Sequence, residues 1–189
     1  MNESMESPDD MVTNKVGGGW GRALAWVFVL AVLAVIAVQL RKTMEGGILL
    51  NEKAPTFTLT LFDGGEIGPA EMQGKVVVVN FWASWCKPCE EEAEELQQAW
   101  EYYQDRGDVL FLGVDYVDTE TEARVYLDRF GITYPNGPDL RTSISQAFRI
   151  TGVPETYIIS RAGDLFYTKV GPFTSLQEIL TLVDQALAE

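Results

Sequence analysis

The chain has 189 residues, 47% hydrophobic and 22% charged, which is room for one globular domain plus one further segment. Its formal charge of −14, from 28 acidic against 14 basic residues, disfavours any partner held through its phosphates, so no nucleic acid is expected. There is no histidine, which removes the commonest metal ligand and the usual activating base, and the two cysteines are too few for a disulfide framework or a four-ligand zinc site.

Residues 1–22 are polar and acidic, carry Gly17-Gly18-Gly19 and lack a hydrophobic period, so they read as a disordered tail. Residues 23–40 are apolar except for Gln39 and lie between Arg22 and the pair Arg41-Lys42. At helical rise that run covers about 27 Å, close to a hydrocarbon core of roughly 30 Å once snorkelling basic flanks and Trp20 and Trp26 are added, and it predicts a membrane anchor in the lipid bilayer. The competing readings are a buried core helix, which seldom lacks polar positions on every face, and a cleaved signal peptide, for which the leading region is long and acidic and no small-x-small site precedes Leu40. Basic residues stand on both sides of the span, so charge alone leaves its orientation open. Residues 41–48, with Gly46-Gly47, read as a tether, and residues 49–189 as the globular domain.

Within that domain Thr56 to Leu61 alternates at the strand period, and Asp63-Gly64-Gly65 turns it into a second extended piece, predicting an opening hairpin. Val76-Val77-Val78-Val79-Asn80-Phe81 is a continuous β-branched run, the mark of a central strand buried on both faces. After Cys89 a stripe of Ala93, Leu96, Trp100 and Tyr103 predicts a helix ending near Gly107. Val109 to Val114 gives the next strand. Thr119 caps a predicted helix closed by Gly131, and a short helix follows over Ser143 to Phe148. Tyr157-Ile158-Ile159 and Leu165-Phe166-Tyr167 predict a hairpin across Arg161-Ala162-Gly163-Asp164, and Leu176 to Leu187 a closing amphipathic helix. The order β-α-β-α-β-β-α implies an α/β sandwich with mixed strands.

The chemistry lies in Cys86-Lys87-Pro88-Cys89. Two thiols at this spacing, where a buried strand hands over to a helix, can close a disulfide ring, and the helix N-terminus favours the thiolate of the first. Cys86 is therefore the expected nucleophile and Cys89 the resolving thiol. Pro88 fits a first helical turn, where a missing N–H costs nothing, and Lys87 adds a positive charge. The pair is itself the redox group, so no further cofactor and no metal is expected. Binding of a soft ion such as Cu(I) by the dithiol alone is the competing chemistry.

Phe81-Trp82-Ala83-Ser84-Trp85-Cys86-Lys87-Pro88-Cys89 resembles the active-site segment of the thioredoxin superfamily. Gly152-Val153-Pro154-Glu155-Thr156-Tyr157 resembles the superfamily's cis-proline loop, and Gly171 also fits. From Leu49 to Glu189 the chain is most similar to the membrane-anchored TlpA, ResA and CcmG type. The resemblance implies a thioredoxin-like fold with a central strand-helix insertion between Val109 and Ile150, and a cis bond from Val153 to Pro154. It also implies a substrate groove formed by Trp85, Lys87, Pro88, Val153 and Glu155 around the catalytic Cys86, Cys89 and Pro154.

Two departures stand out. Asn80 occupies the place of the buried Asp that assists the resolving cysteine in thioredoxin itself, so by resemblance proton handling passes to Glu92. Against that reading, Glu90, Glu91, Glu92, Glu94 and Glu95 all lie where acidic residues favour a helix dipole regardless of function. In place of the proline that relatives carry soon after Glu92 stands Ala93-Glu94-Glu95, which predicts an uninterrupted helix.

The resemblance further implies an extracytoplasmic, single-pass membrane protein that reduces protein disulfides, those of apocytochrome c among them, and is recharged by a membrane thiol electron donor. A disulfide-forming oxidase is the same fold run in the other direction. A thiol peroxidase needs a Pro-x-x-x-Thr/Ser-x-x-Cys setting, which Cys86 lacks, and a metallochaperone would bring His or Met beside the thiols.

Overall fold

The computed structural model describes residues 19–44 and 52–189, so the tail and tether readings at residues 1–18 and 45–51 lie outside the described residues. The chain divides between Gly46 and Gly47 into two units. Among its described residues the first contains one helix, α1 (Gly19–Met44), whose described side chains from Leu24 to Val38 are apolar and exposed on every face. Among the described residues no helix is long and apolar enough to cross a membrane. The described side chains stop short of the apolar run that the sequence carries to Leu40, so the anchor remains a reading of the sequence.

The second unit opens with β1 (Leu59–Thr60) paired antiparallel to β2 (Glu66–Ile67). The turn between them needs glycine, because Gly64 and Gly65 take φ of 89° and 84°. Thr56 to Thr60 keeps the predicted alternation, with Phe57 and Leu59 buried and Thr58 and Thr60 exposed, yet only its last two residues find a strand partner. After the single turn α2 (Pro69–Met72) come β3 (Val76–Trp82), α3 (Lys87–Tyr103), β4 (Val109–Tyr116), α4 (Glu120–Phe130), β5 (Asn136–Asp139), α5 (Ser143–Phe148), β6 (Glu155–Ile159), β7 (Leu165–Val170) and α6 (Leu176–Leu187).

The main sheet runs β5-β4-β3-β6-β7, with β3, β4 and β5 parallel, β6 antiparallel to β3 and β7 antiparallel to β6. All seven residues of β3 are buried, which is why its sequence shows no polar alternation. Val77, Val79 and Phe81 face a layer of Phe57, Leu59, Ile144 and Phe148. Val76 and Val78 face Leu96, Ala99 and Tyr103 of α3 and Ile179 and Val183 of α6. At roughly 1.5–3 kcal/mol per fully buried large apolar side chain, these two layers hold β3 at the centre of the unit. Helix ends follow local chemistry: Thr119 accepts from the Glu122 N–H at 3.3 Å, Ser175 from the Glu178 N–H at 3.3 Å, and Gly131 closes α4 at φ 62°. As Ala93-Glu94-Glu95 predicts, α3 is one uninterrupted helix of 17 residues.

The strand-helix insertion is β5 with α5. Its strand reads Asn-Gly-Pro-Asp, a turn composition, and lies at the sheet edge, where proline is tolerated. Asn136 anchors it, accepting from the Trp82 indole N–H at 2.8 Å and donating to the Tyr134 carbonyl at 2.8 Å. Gly137 is required by crowding, since a Cβ there would overlap the Thr60 carbonyl oxygen and lie 3.0 Å from the Leu59 side chain. Gly137→Ala is expected to lower stability by about 1–3 kcal/mol in urea unfolding. An unchanged midpoint would mean that β1 and β5 are not in close register.

Candidate active site

The buried strand β3 ends at Trp82 and the chain turns at once, the Cys86 N–H bonding the Ala83 carbonyl at 3.1 Å. That turn delivers Cys86 to the N-cap of α3, where its sulfur accepts the Cys89 N–H at 3.2 Å. The structure holds the two cysteines as a disulfide, with Cα atoms 5.3 Å apart. They pack in a cluster with Trp82, Ala83, Ala93, Ala123 and Tyr126, against which Val153 lies. Tyr126 stacks on Trp82 at 4.5 Å and donates its hydroxyl to the Cys89 carbonyl at 2.8 Å. Helix α4 is thereby tied to the first turn of α3.

The other residues singled out by sequence fall into two groups. Trp85, Lys87 and Pro88 are exposed beside Cys86. The Lys87 ammonium is 2.6 Å from Glu90, which also meets Arg129 at 3.4 Å, so the positive charge expected to act on the thiolate is answered locally. The Val153–Pro154 bond is cis, and the Pro154 carbonyl accepts the Gly171 N–H at 3.0 Å. Glu155, in contrast, is buried: its carboxylate accepts from the Tyr157 hydroxyl at 2.6 Å and from the Thr151 N–H at 2.9 Å. Strand pairing opposite Phe81 and Val170 turns this side chain inward, so it braces the proline loop rather than lining a groove.

Glu92 is buried, unlike the glutamates around it. Its two oxygens accept from the Asn80 amide and from the Phe173 N–H, each at 2.8 Å, and the same Asn80 amide donates to Thr156 at 2.9 Å. Asn80 thus holds the carboxyl in place instead of supplying one. Burial pushes the Glu92 carboxyl up to about 7, against the lowering effect of its two hydrogen bonds. It stands three residues after Cys89, the spacing that places two side chains on one helical face.

Asp115 was not singled out by sequence. It is fully buried at the end of β4, and neither carboxyl oxygen has a hydrogen-bond partner. Its register opposite Trp82 puts it on the face of the sheet that carries Asn80. Burial first, and then the charge of Asp118, push its carboxyl up to about 8. The available signal was an acidic residue closing the apolar run Val109 to Val114. Among the described residues, no group of three or more acidic or thiol side chains is placed to hold a metal ion.

This geometry can be set beside known proteins. The AhpC/TSA family profile matches residues 50–168. The chain belongs to that family. Thiol-disulfide oxidoreductase ResA of Geobacillus kaustophilus is 30% identical over 132 residues, 70% of this chain and 75% of that protein. Thioredoxin-like protein YneN of Bacillus subtilis is 30% identical over 131 residues, 69% of this chain and 76% of that protein. A solved thiol:disulfide interchange protein of Chlorobium tepidum superposes with a TM-score of 0.67 at 28% identity, covering 75% of this chain and 99% of its own. This AhpC/TSA member is an enzyme of the thiol-disulfide oxidoreductase class, ResA-like in type, on a thioredoxin-like fold.

Asp115 gives a stability prediction. Its folded value near 8 lies above the ordinary 3.8, so the folded chain keeps a proton that the unfolded chain has released. The contribution is fully present below about pH 4 and is lost as pH rises towards 8. Asp115→Asn should match the parent near pH 4 and become progressively more stable than it up to pH 8, read as urea midpoints. A constant difference across that range would contradict a buried, protonated Asp115.

Proposed function

We propose that this chain is a membrane-tethered dithiol reductant of protein disulfides, acting on the extracytoplasmic side, with apocytochrome c among its substrates and a membrane thiol donor recharging it. The observation that carries the redox part is the cysteine pair at the start of α3 with the buried carboxyl of Glu92 one turn behind Cys89. The tether rests on the apolar run at residues 23–40, and the cytochrome substrate on family resemblance. An outside location suits a reductant, because the cytosol already holds soluble ones.

In the reduced enzyme the Cys86 thiolate attacks one sulfur of the substrate disulfide. The substrate S–S bond breaks, a mixed disulfide forms, and the departing substrate sulfur leaves as a thiolate that takes a proton. Cys89 then gives its proton to Glu92 and attacks Cys86. The mixed disulfide breaks, the second substrate sulfur leaves as a thiolate that takes a proton, and the Cys86–Cys89 disulfide closes. Two electrons pass from the enzyme to the substrate, and the membrane thiol donor restores them. A carboxyl poised near 7 is matched to this transfer: as carboxylate it accepts the Cys89 proton, and below that value it is already occupied.

Three variants test the reading in the full-length protein. Cys89→Ser should accumulate mixed disulfides between Cys86 and substrate peptide, and Cys86→Ser should form none. Glu92→Gln should slow release from the mixed disulfide by about a hundredfold and remove the rise in rate through pH 7. Release from the Gln variant at the parent rate and with the parent pH profile would take the proton-handling role away from Glu92.

A further inference from the structure

Among the described residues three non-glycine positions take positive φ: Val117, Thr142 and Arg149. Arg149 is the C-cap of α5, where the left-handed conformation serves a helix end, and Thr142 is its N-cap, whose carbonyl accepts the Gln146 N–H at 2.8 Å. Val117 caps nothing. It lies between β4 and α4 at φ 49°, a region in which a β-branched residue is an outlier and which glycine or asparagine would enter more easily. Its side chain is 48% exposed, so no core packing offsets that conformation.

The segment is fastened to the cysteine turn at two adjacent points. The Val117 carbonyl accepts the Trp85 indole N–H at 3.3 Å, and the Asp118 carboxylate accepts the Ser84 N–H at 2.6 Å and the Thr119 N–H at 2.7 Å. Two exposed apolar residues, Trp85 at 60% and Val117, are therefore neighbours beside Cys86, joined through the Val117 backbone. The charges nearby are acidic. Glu90 is answered by Lys87 and Arg129, whereas Glu91, Asp118 and Glu122 have no ion-pair partner among the described residues.

We propose that Val117 is a specificity-determining residue: with Trp85 it forms an apolar wall beside Cys86 that receives an apolar side chain next to the substrate cysteine, in a polypeptide segment carrying basic residues. Backbone strain retained at an exposed position points to a contact made only when substrate is bound. The acidic rim supplies the charge preference. The inference rests on the thiol-disulfide reading above and names the substrate class of that site.

The test uses the full-length protein in detergent micelles, reduced and mixed with lysine-flanked peptide disulfides that differ only in Leu or Ser before the cysteine. The parent should prefer the Leu peptide by about tenfold in kcat/KM, expressed in KM, as expected for one apolar contact. Val117→Gly and Val117→Asn should both abolish that preference while leaving the thermal midpoint equal or higher, because both residues relax at this φ. Exchanging the flanking lysines for glutamates should slow the parent. No Leu preference in the parent, or a preference retained in both variants, would overturn the proposal. Glutathione disulfide separates the two levels: a parent that oxidises its thiols with it but shows no peptide preference refutes this inference alone. A parent inert towards every disulfide refutes the thiol-disulfide reading and this inference together.

Discussion

The site depends on where β3 stops. A strand buried along its whole length cannot move without disturbing both layers of the core, so the residue at which it ends is fixed to within a side chain's width. The turn after Trp82 then leaves Cys86 at a helix N-terminus, where its sulfur meets the Cys89 N–H, and Cys89 inside the first turn of α3. The same strand-helix junction places one thiol at the helix cap and the other within the helix, and the proposed division into nucleophile and resolving thiol rests on that difference.

Around that junction the enzyme spends polar groups where apolar ones would be more stable. Glu92 is buried but satisfied, bonded to Asn80 of β3 and to the backbone at Phe173 ahead of α6. Those two bonds keep the buried carboxyl in one place instead of letting it seek water. Asp115 is buried without any partner, a rarer condition that native proteins tolerate only for a reason or at a cost in stability. Val117, two residues further on, adds backbone strain at the surface. The unpartnered Asp115 and the strained Val117 thus stand at the end of β4, which is fastened to the cysteine turn before α3.

Much of this was legible in sequence because the relevant signals are local. The β-branched run from Val76 to Phe81, the cap at Thr119 with Gly131, and the helices at Ser143–Phe148 and Leu176–Leu187 follow from periodicity and end chemistry, and each is present as read. Strand β5 was hidden, since Asn136-Gly137-Pro138-Asp139 is turn composition and becomes a strand only by pairing with β4 and bonding Trp82. Which of the clustered glutamates enters the core is decided by the helical phase of α3 against β3. Family resemblance pointed to Glu92, but the Asn80 donor that receives it comes from another element. Glu155 was read as a groove residue from its place beside Pro154, and the inward turn of β6 gives it to Tyr157 and Thr151 instead. The φ of Val117 has no sequence signal.

The central claim is that the pair Cys86–Cys89 is kept reduced outside the membrane so that it can donate electrons to protein disulfides. The direct measurement is to quench intact cells in acid, label free thiols with a mass-shifting maleimide, and resolve the protein by its number of labels. A mostly doubly labelled protein, lost when its membrane donor is removed, is the predicted result. A mostly unlabelled, oxidised pair in unperturbed cells would contradict the account and assign the same fold to disulfide formation.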